Sequence, residues 1–285
     1  MSDLTEADYR AISALSGTGI ADLLRSPADY RYKMDHPSEP SDAMRLGTIV
    51  HALILEAGAG IEVVRTETPY AGTKREFTRP CESWQTESAK VQRAEIEARG
   101  MVAANAAEYA TAEAMAEAVL GHPAAAELLG MPGAAEVSLT WHEGVTPCKG
   151  RIDYLAQSSA GPVVIDIKTT RSLDGFNKSI GEYGYHAQLM HYRRGALSAG
   201  ALVAPLPFLI AVRNEAPHHV AVYQLSERDA AQGEAMCLEA YQRYADCMSA
   251  GVWPSGIPEG VIPTDIPTWS SRAWDALIEG VTNVN

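Results

Sequence analysis

The residues most able to do chemistry lie in one short stretch. Arg151-Ile-Asp153 is followed, after a short connection, by Val164-Ile-Asp166-Ile-Lys168. Both runs read as strands, and residues two apart on a strand share a face. Asp166 and Lys168 therefore project together while Ile167 points into a core, and a hairpin brings Asp153 alongside Asp166. Two carboxylates and an ammonium at one sheet end suit phosphoryl chemistry. Hard oxygen ligands hold Mg²⁺, usually with only one or two carboxylates. A lysine can orient an attacking water and offset the negative charge that develops at phosphorus. An Asp and a Lys two apart are more often a surface ion pair. Here they follow the apolar run Val163-Val-Ile165, where an unpaired charge is costly, and that context favours function.

The elements that must position these groups can be read from periodicity and breakers. Residues Ile12 to Tyr30 predict a capped helix with a break at Ser26-Pro27. Ala43 to Glu56 predicts a second, its apolar Leu46, Ile49, Val50, Leu53 and Ile54 forming one stripe. Residues 57–86 read as irregular, with a basic cluster of Lys74, Arg75 and Arg79. Ser88 to Leu120 reads as helix, divided at Gly100 and stopped by Gly121-His-Pro123. From Gly133 the texture changes. Strands are expected at Glu136–Trp141, Cys148–Ala156, Pro162–Lys168, Pro207–Arg213 and His219–Leu225. Helices are expected at Ser172–Ser198, broken near Gly181–Gly184, and from Glu227 to Ala250. The fold class is α/β, and because sequential strands adjoin, the sheet should be mixed rather than doubly wound. One domain spanning 1–285 is expected: a helical part to 132, an α/β core over 133–250 and a Pro/Trp-rich tail.

Composition sets the outer bounds. The chain has 285 residues, of which 46% are hydrophobic and 21% charged, enough to bury a core. Lys and Arg total 23 against 36 Asp and Glu, a net charge of −13. Taken alone this argues against a nucleic-acid binder, but it is unevenly spread. Between Pro147 and Arg194 the seven cations (Lys149, Arg151, Lys168, Arg171, Lys178, Arg193, Arg194) outnumber the four acids (Asp153, Asp166, Asp174, Glu182). The most apolar stretch, Ala199–Val212, is short and interrupted by Pro205 and Pro207, so no membrane span is expected. Met1–Arg10 does not read as a signal peptide, and a cytoplasmic location is the expectation. Cys81, Cys148, Cys237 and Cys247 contain no C-x-x-C pair and read as reduced thiols.

Gly150-Arg-Ile-Asp153 with Ile165-Asp-Ile-Lys-Thr-Thr170 resembles the PD-(D/E)xK nuclease superfamily, in its exonuclease VIII (RecE-type) and RecB-like branch. Further segments follow in the same order. Ile12-Ser13 with Leu24-Arg-Ser-Pro27 resembles that branch's opening helix, and Leu46–Glu56 its histidine helix. Glu136–Trp141 resembles the strand before the core, Tyr185–Tyr192 the Q-x-x-x-Y helix, and Cys247–Pro254 with Ile266–Trp269 the tail.

The resemblance implies a restriction-endonuclease-like core with a central mixed sheet. Asp153 and Asp166 would be metal-binding acids, with the Ile167 carbonyl as a further ligand, and Lys168 the catalytic lysine. His51 would sit beside the metal, Glu136 would help hold it or its waters, and Gln188 and Tyr192 would buttress the site and contact substrate. The cofactor implied is Mg²⁺, with Mn²⁺ substituting. The second acid is Asp166 where many members have Glu, and the cysteines lack the spacing of the iron–sulfur-bearing members, so neither an iron–sulfur cluster nor zinc is expected. Arg151, Lys178, Arg193 and Arg194, and less strongly Arg45 and Arg25, are candidates for DNA phosphates. The implied activity is a bacterial or phage-encoded exonuclease that degrades linear duplex DNA from an end, 5′ to 3′. It would act as a ring-shaped homo-oligomer with a RecT-type single-strand annealing protein as partner. The alternatives are a RecB-like nuclease with endonuclease or single-strand preference, and an inactive nuclease fold used for binding.

Overall fold

The computed structural model describes residues 4, 6–58, 60–69 and 76–282. Lys74 and Arg75 of the basic cluster lie outside them. In chain order the first half comprises α1 (Glu6–Ala11), β1 (Leu15–Ser16), α2 (Gly19–Arg25), α3 (Pro27–Asp35), α4 (Asp42–Leu55), β2 (Ile61–Val63), β3 (Arg65–Pro69), β4 (Glu76–Pro80), α5 (Glu87–Ala98), β5 (Val102–Ala104), α6 (Ala106–Gly121) and α7 (Pro123–Leu129). The second half comprises β6 (Gly133–Glu143), β7 (Thr146–Ser158), β8 (Gly161–Thr170), α8 (Phe176–Tyr183), α9 (Tyr185–Ser198), β9 (Leu206–Arg213), β10 (Val220–Gln224), α10 (Glu227–Ala250) and α11 (Thr268–Thr282). Among the described residues no helix is long and apolar enough to cross a membrane.

The main sheet runs β7-β8-β9-β10. β6 pairs with one edge of β7, and β1 shares the other edge with β8. It is mixed: β8 and β9 are parallel, joined across α8 and α9, while β6, β7 and β8 form an antiparallel meander. One face carries α2, α9 and α10 over a core that includes Leu15, Ile20, Val164, Leu189, Leu209 and Tyr241. The other carries α4, α6 and α7 over Ile49, Val50, Ile54, Met115, Ile165, Ile167 and Ile210. Each such aliphatic side chain, fully buried, contributes about 1.5–3 kcal/mol. Val63's neighbour Val64, with Cys81, Ala89, Ile96 and Ala103, forms a third, smaller cluster under α5.

Several expectations are corrected. The helix read over Ile12–Tyr30 is three elements. Leu15-Ser16 pairs in parallel with Cys148-Lys149. The break at Ser26-Pro27 is present: α2 ends at Arg25, and Pro27 starts α3, since a proline at the first helical position loses no hydrogen bond and the Ser26 hydroxyl accepts from Asp29 N–H. The stretch 57–86 contains β2, β3 and β4 rather than only irregular chain. The break at Gly100 is real, with φ of 75°, and is followed by β5, whose partner is β2. The tail ends in α11, whose Trp269, Trp274, Leu277 and Ile278 are all exposed.

α9 is the keystone of the first layer. Every residue from His186 to Tyr192 is buried, because the helix lies between the sheet and α10. His191 is held neutral in this core. Its Nε2–H donates to Lys149 O at 3.0 Å, its Nδ1 accepts from the Tyr241 hydroxyl at 2.9 Å, and burial pushes its pKa down to about 4. α10 packs on α9 through Gly233, where an added Cβ would stand 2.5 Å from His186 O. Backbone cannot yield as a side chain can. Gly233→Ala is therefore expected to cost about 1–3 kcal/mol by overpacking, seen as a lower urea midpoint with unchanged slope. An unaltered midpoint would mean that the helices can separate freely.

Candidate active site

The β6–β7 ribbon bends at one place. On β6, Ala134 and Val137 both face the first core; on β7, Ile152 and Leu155 do the same. A spacing of three where a strand requires two means that both strands change phase there. The register is the same on both sides, Ala135 opposite Tyr154 and Val137 opposite Ile152, but the position between them is unpaired. The residues at that skipped position are Glu136 and Asp153, whose carboxylates come within 4.8 Å of each other. Glu136 adopts φ of 52°, a left-handed conformation that costs a residue with a Cβ about 1–2 kcal/mol. Two acids this close also repel.

Beyond the bend β7 leaves β8, whose last pair is Tyr154 with Ile165. The N–H and C=O of one strand residue point to the same side, so both groups of Ile167 are left facing the gap. Asp153 Oδ2 accepts the Ile167 N–H at 2.6 Å. His51, reaching from α4, places Nε2 3.0 Å from Ile167 O. A carbonyl can only accept, so Nε2 carries a proton, and the ring places Nδ1 3.6 Å from Asp153 Oδ2. Gly47, one helical turn before His51, keeps this helix face low against Thr169, 3.6 Å from where a Cβ would stand.

Asp166 and Lys168 rise from β8 on the α9 side, and Lys168 Nζ lies 2.6 Å from Asp166 Oδ2. Gln188 Nε2–H donates to Asp166 Oδ1 at 3.3 Å and to the Tyr192 hydroxyl at 2.7 Å. The predicted buttress from α9 is therefore in contact with the acid. The lysine also sits 4.9 Å over the ring of Tyr185, a contact that sequence spacing did not single out. Burial raises the Asp166 pKa from its ordinary 3.8 to about 6, with the Asp153 charge adding to the rise and Lys168 opposing it. Burial pulls the Lys168 pKa down, but the two carboxylates outweigh it and the net shift is upward.

These groups fit a divalent cation. His51, Glu136 and Asp153 each bring one ligand atom within 4.8 Å of the others. The buried Asp166 carboxylate adds a further oxygen beside them, held by Lys168. The opposed acids Glu136 and Asp153, and the crowding of Asp153 with Asp166, are relieved by positive charge. The Ile167 carbonyl, expected as a further ligand, is engaged by the His51 ring.

The cations expected at DNA are dispersed. Arg45 is buried between Asp42 (2.8 Å) and Glu108 (3.0 Å), tying α4 to α6. Arg194 pairs with Glu143 at 2.5 Å and with Glu234. Arg193 leans on Met190 Sδ at 3.9 Å. Arg151 donates to the Ser138 hydroxyl at 2.9 Å and lies 4.5 Å over the Tyr9 ring. Lys178 is exposed on α8, and Arg25, also exposed, donates to Glu182 O at the end of that helix. His186 and His191, on separate faces, each hydrogen-bond to backbone carbonyls.

The Asp166 shift has a definite sign. Between pH 3.8 and about 6 the folded chain keeps a proton that the unfolded chain has released. Its stabilising contribution is complete below that window and is lost as pH rises through 6. In metal-free buffer, Asp166→Asn should therefore gain stability relative to wild type by on the order of 1–3 kcal/mol between pH 4 and 7. Urea unfolding of both proteins at each pH measures the difference, and a flat difference would contradict the assignment.

The comparisons agree with this geometry. Residues 16–257 match a family described as a PDDEXK-like domain of unknown function (DUF3799). A solved structure of a candidate exonuclease from Eubacterium rectale superposes with a TM-score of 0.59. It covers 96% of this chain and 99% of its own at 13% identity, a likeness of fold. A phage-related exonuclease from Haemophilus somnus aligns at 10% identity over 84% of this chain and 96% of its own. Its TM-score is 0.35. No curated protein matches the chain in sequence. The mixed sheet flanked by helices, the paired acids with their lysine and the family match together show that this chain belongs to the PDDEXK-like DUF3799 family of the PD-(D/E)xK nuclease superfamily.

Proposed function

We propose that this protein is a Mg²⁺-dependent exodeoxyribonuclease that hydrolyses linear duplex DNA from an end. The observation that carries the reading is the convergence of Asp153, Asp166 and Lys168 with Glu136 and His51 where β7 parts from β8. Glu136, Asp153, Asp166 and His51 would hold the ion. When bound, it supplies Lewis-acid charge to the phosphoryl oxygens and acidifies water. Mn²⁺, which shares the preference for oxygen ligands, would substitute.

The chain's own residues do the rest. Lys168, fixed between Asp166 and the Tyr185 ring, donates hydrogen bonds to the attacking water and to the oxygen that gains charge as the bond to the leaving oxygen breaks. Gln188, bridging Asp166 and Tyr192, keeps the carboxylate from rotating away. Exposed Lys178 and Arg25 meet the DNA backbone, where cations supply sequence-independent affinity. Resemblance to the exonuclease VIII branch supports the finer points: 5′-to-3′ polarity, a 3′ overhang as product, a ring-shaped homo-oligomer around the duplex, and a RecT-type annealing protein as partner in recombination in the cytoplasm.

A time course on duplex labelled at either the 5′ or the 3′ end, run beside closed circular DNA with Mg²⁺, tests this. The 5′ label should be released first and circles should survive. Asp166→Ala and Lys168→Ala should each lower kcat/KM by roughly 10²–10⁴-fold. Cut circles would point to an endonuclease, and full activity in either variant would remove the site from the chemistry.

A further inference from the structure

Four aromatic rings lead away from the lysine. Tyr185, 4.9 Å from Lys168 Nζ, has Tyr183 beside it at a centroid distance of 5.6 Å and an interplanar angle of 32°. Behind Tyr185 stands the buried Phe176 at 6.2 Å, itself backed by Tyr223 at 5.2 Å. Tyr183 is 58% exposed. The joint that presents it is rigid. Gly184 connects α8 to α9 at φ of 71°, and a Cβ there would stand 2.8 Å from Ala21 Cβ on α2. Next to it in the chain, Glu182 O holds the exposed guanidinium of Arg25 from α2.

We propose that Tyr183, backed by Tyr185, is a stacking platform for an unpaired base of the strand being cleaved. The proposal rests on the nuclease reading above and adds to it a substrate feature: the DNA is frayed or single-stranded where it meets the site. Aromatic side chains stack on bases without sequence preference, because every base has a π-face, and cations beside such rings follow the phosphates. Tyr183 meets both conditions, being exposed one ring from the lysine, with the Arg25 guanidinium bound to the carbonyl of the preceding residue. A paired base inside a duplex offers no free face to a protein ring, so the platform selects unpaired nucleotides. Its hydroxyl has no part in this, and the ring alone is needed.

The test compares wild type, Tyr183→Ala, Tyr183→Phe and Tyr183→Trp. Binding is read by fluorescence anisotropy of a labelled single-stranded oligonucleotide and of a duplex closed by hairpins at both ends. Ca²⁺ replaces Mg²⁺ to suppress cleavage, and thermal melting checks the fold. Tyr183→Ala should weaken single-strand binding by roughly 5- to 100-fold. It should raise KM more than it lowers kcat in the matching Mg²⁺ assay, and leave closed duplex binding unchanged. The Phe and Trp variants should stay within about twofold of wild type, since they keep the ring. An Ala variant that binds like wild type, a Phe variant as weak as Ala, or an equal loss on the closed duplex would each overturn the platform. Cleavage by wild type with an unaffected Ala variant defeats the platform alone. A ring-dependent loss of single-strand binding in a protein that cuts no DNA defeats the nuclease reading alone.

Discussion

A strand residue that loses its neighbour must find other partners for its N–H and C=O. Ile167 loses that neighbour when β7 bends away at Asp153, and the Asp153 carboxylate takes its N–H at 2.6 Å while His51 takes its carbonyl. Leaving either group buried and unpaired would cost about 1–3 kcal/mol. This substitution of side chains for a strand holds the gap open and fixes two of the site's groups. It also sets the chain's architecture around the bend. β1 fills the edge of β7 that β8 has vacated, and α4 must stand close enough for His51 to reach through.

The same bend stores unfavourable energy. Glu136 is held in a left-handed conformation beside another acid, and the Asp166 carboxylate is fully buried near Asp153. Lys168 offsets part of this, yet the Asp166 pKa still rises. Strain of this kind survives only where the surrounding packing imposes it. Here Ile165, Ile167 and Ile210 below the sheet, and Leu189 and Met190 of α9 above it, are essentially inaccessible to solvent. They hold the backbone while the carboxylates crowd together. A cation is the partner that would resolve the crowding.

Much of this was legible in the sequence because it follows from local rules. The apolar stripe from Leu46 to Ile54 gave α4, the run at Val163–Ile165 gave the buried strand, and i, i+2 spacing put Asp166 and Lys168 together. The i, i+4 spacing of Gln188 and Tyr192 likewise survives as one hydrogen bond. What was hidden depends on tertiary partners. Leu15-Ser16 becomes a strand only because β7 offers a free edge. β2 and β5 pair across an intervening helix, α5, with three residues each, too few to show a period. The left-handed turn at Glu136 has no glycine or asparagine to mark it. Arg45 and Arg194 looked like surface cations because nothing local reveals Glu108 or Glu143 as their partners. Tyr183 and Tyr185 gave no signal beyond being aromatic; their meaning comes from the lysine on another element.

The most direct test of the cation site is an anomalous difference map from crystals soaked in Mn²⁺. The account predicts a single strong peak, or a close pair, bounded by His51, Glu136, Asp153 and Asp166, with carboxylate oxygens at about 2.0–2.3 Å. A soaked crystal with no peak there, or with Mn²⁺ bound only at other acidic groups, would contradict it.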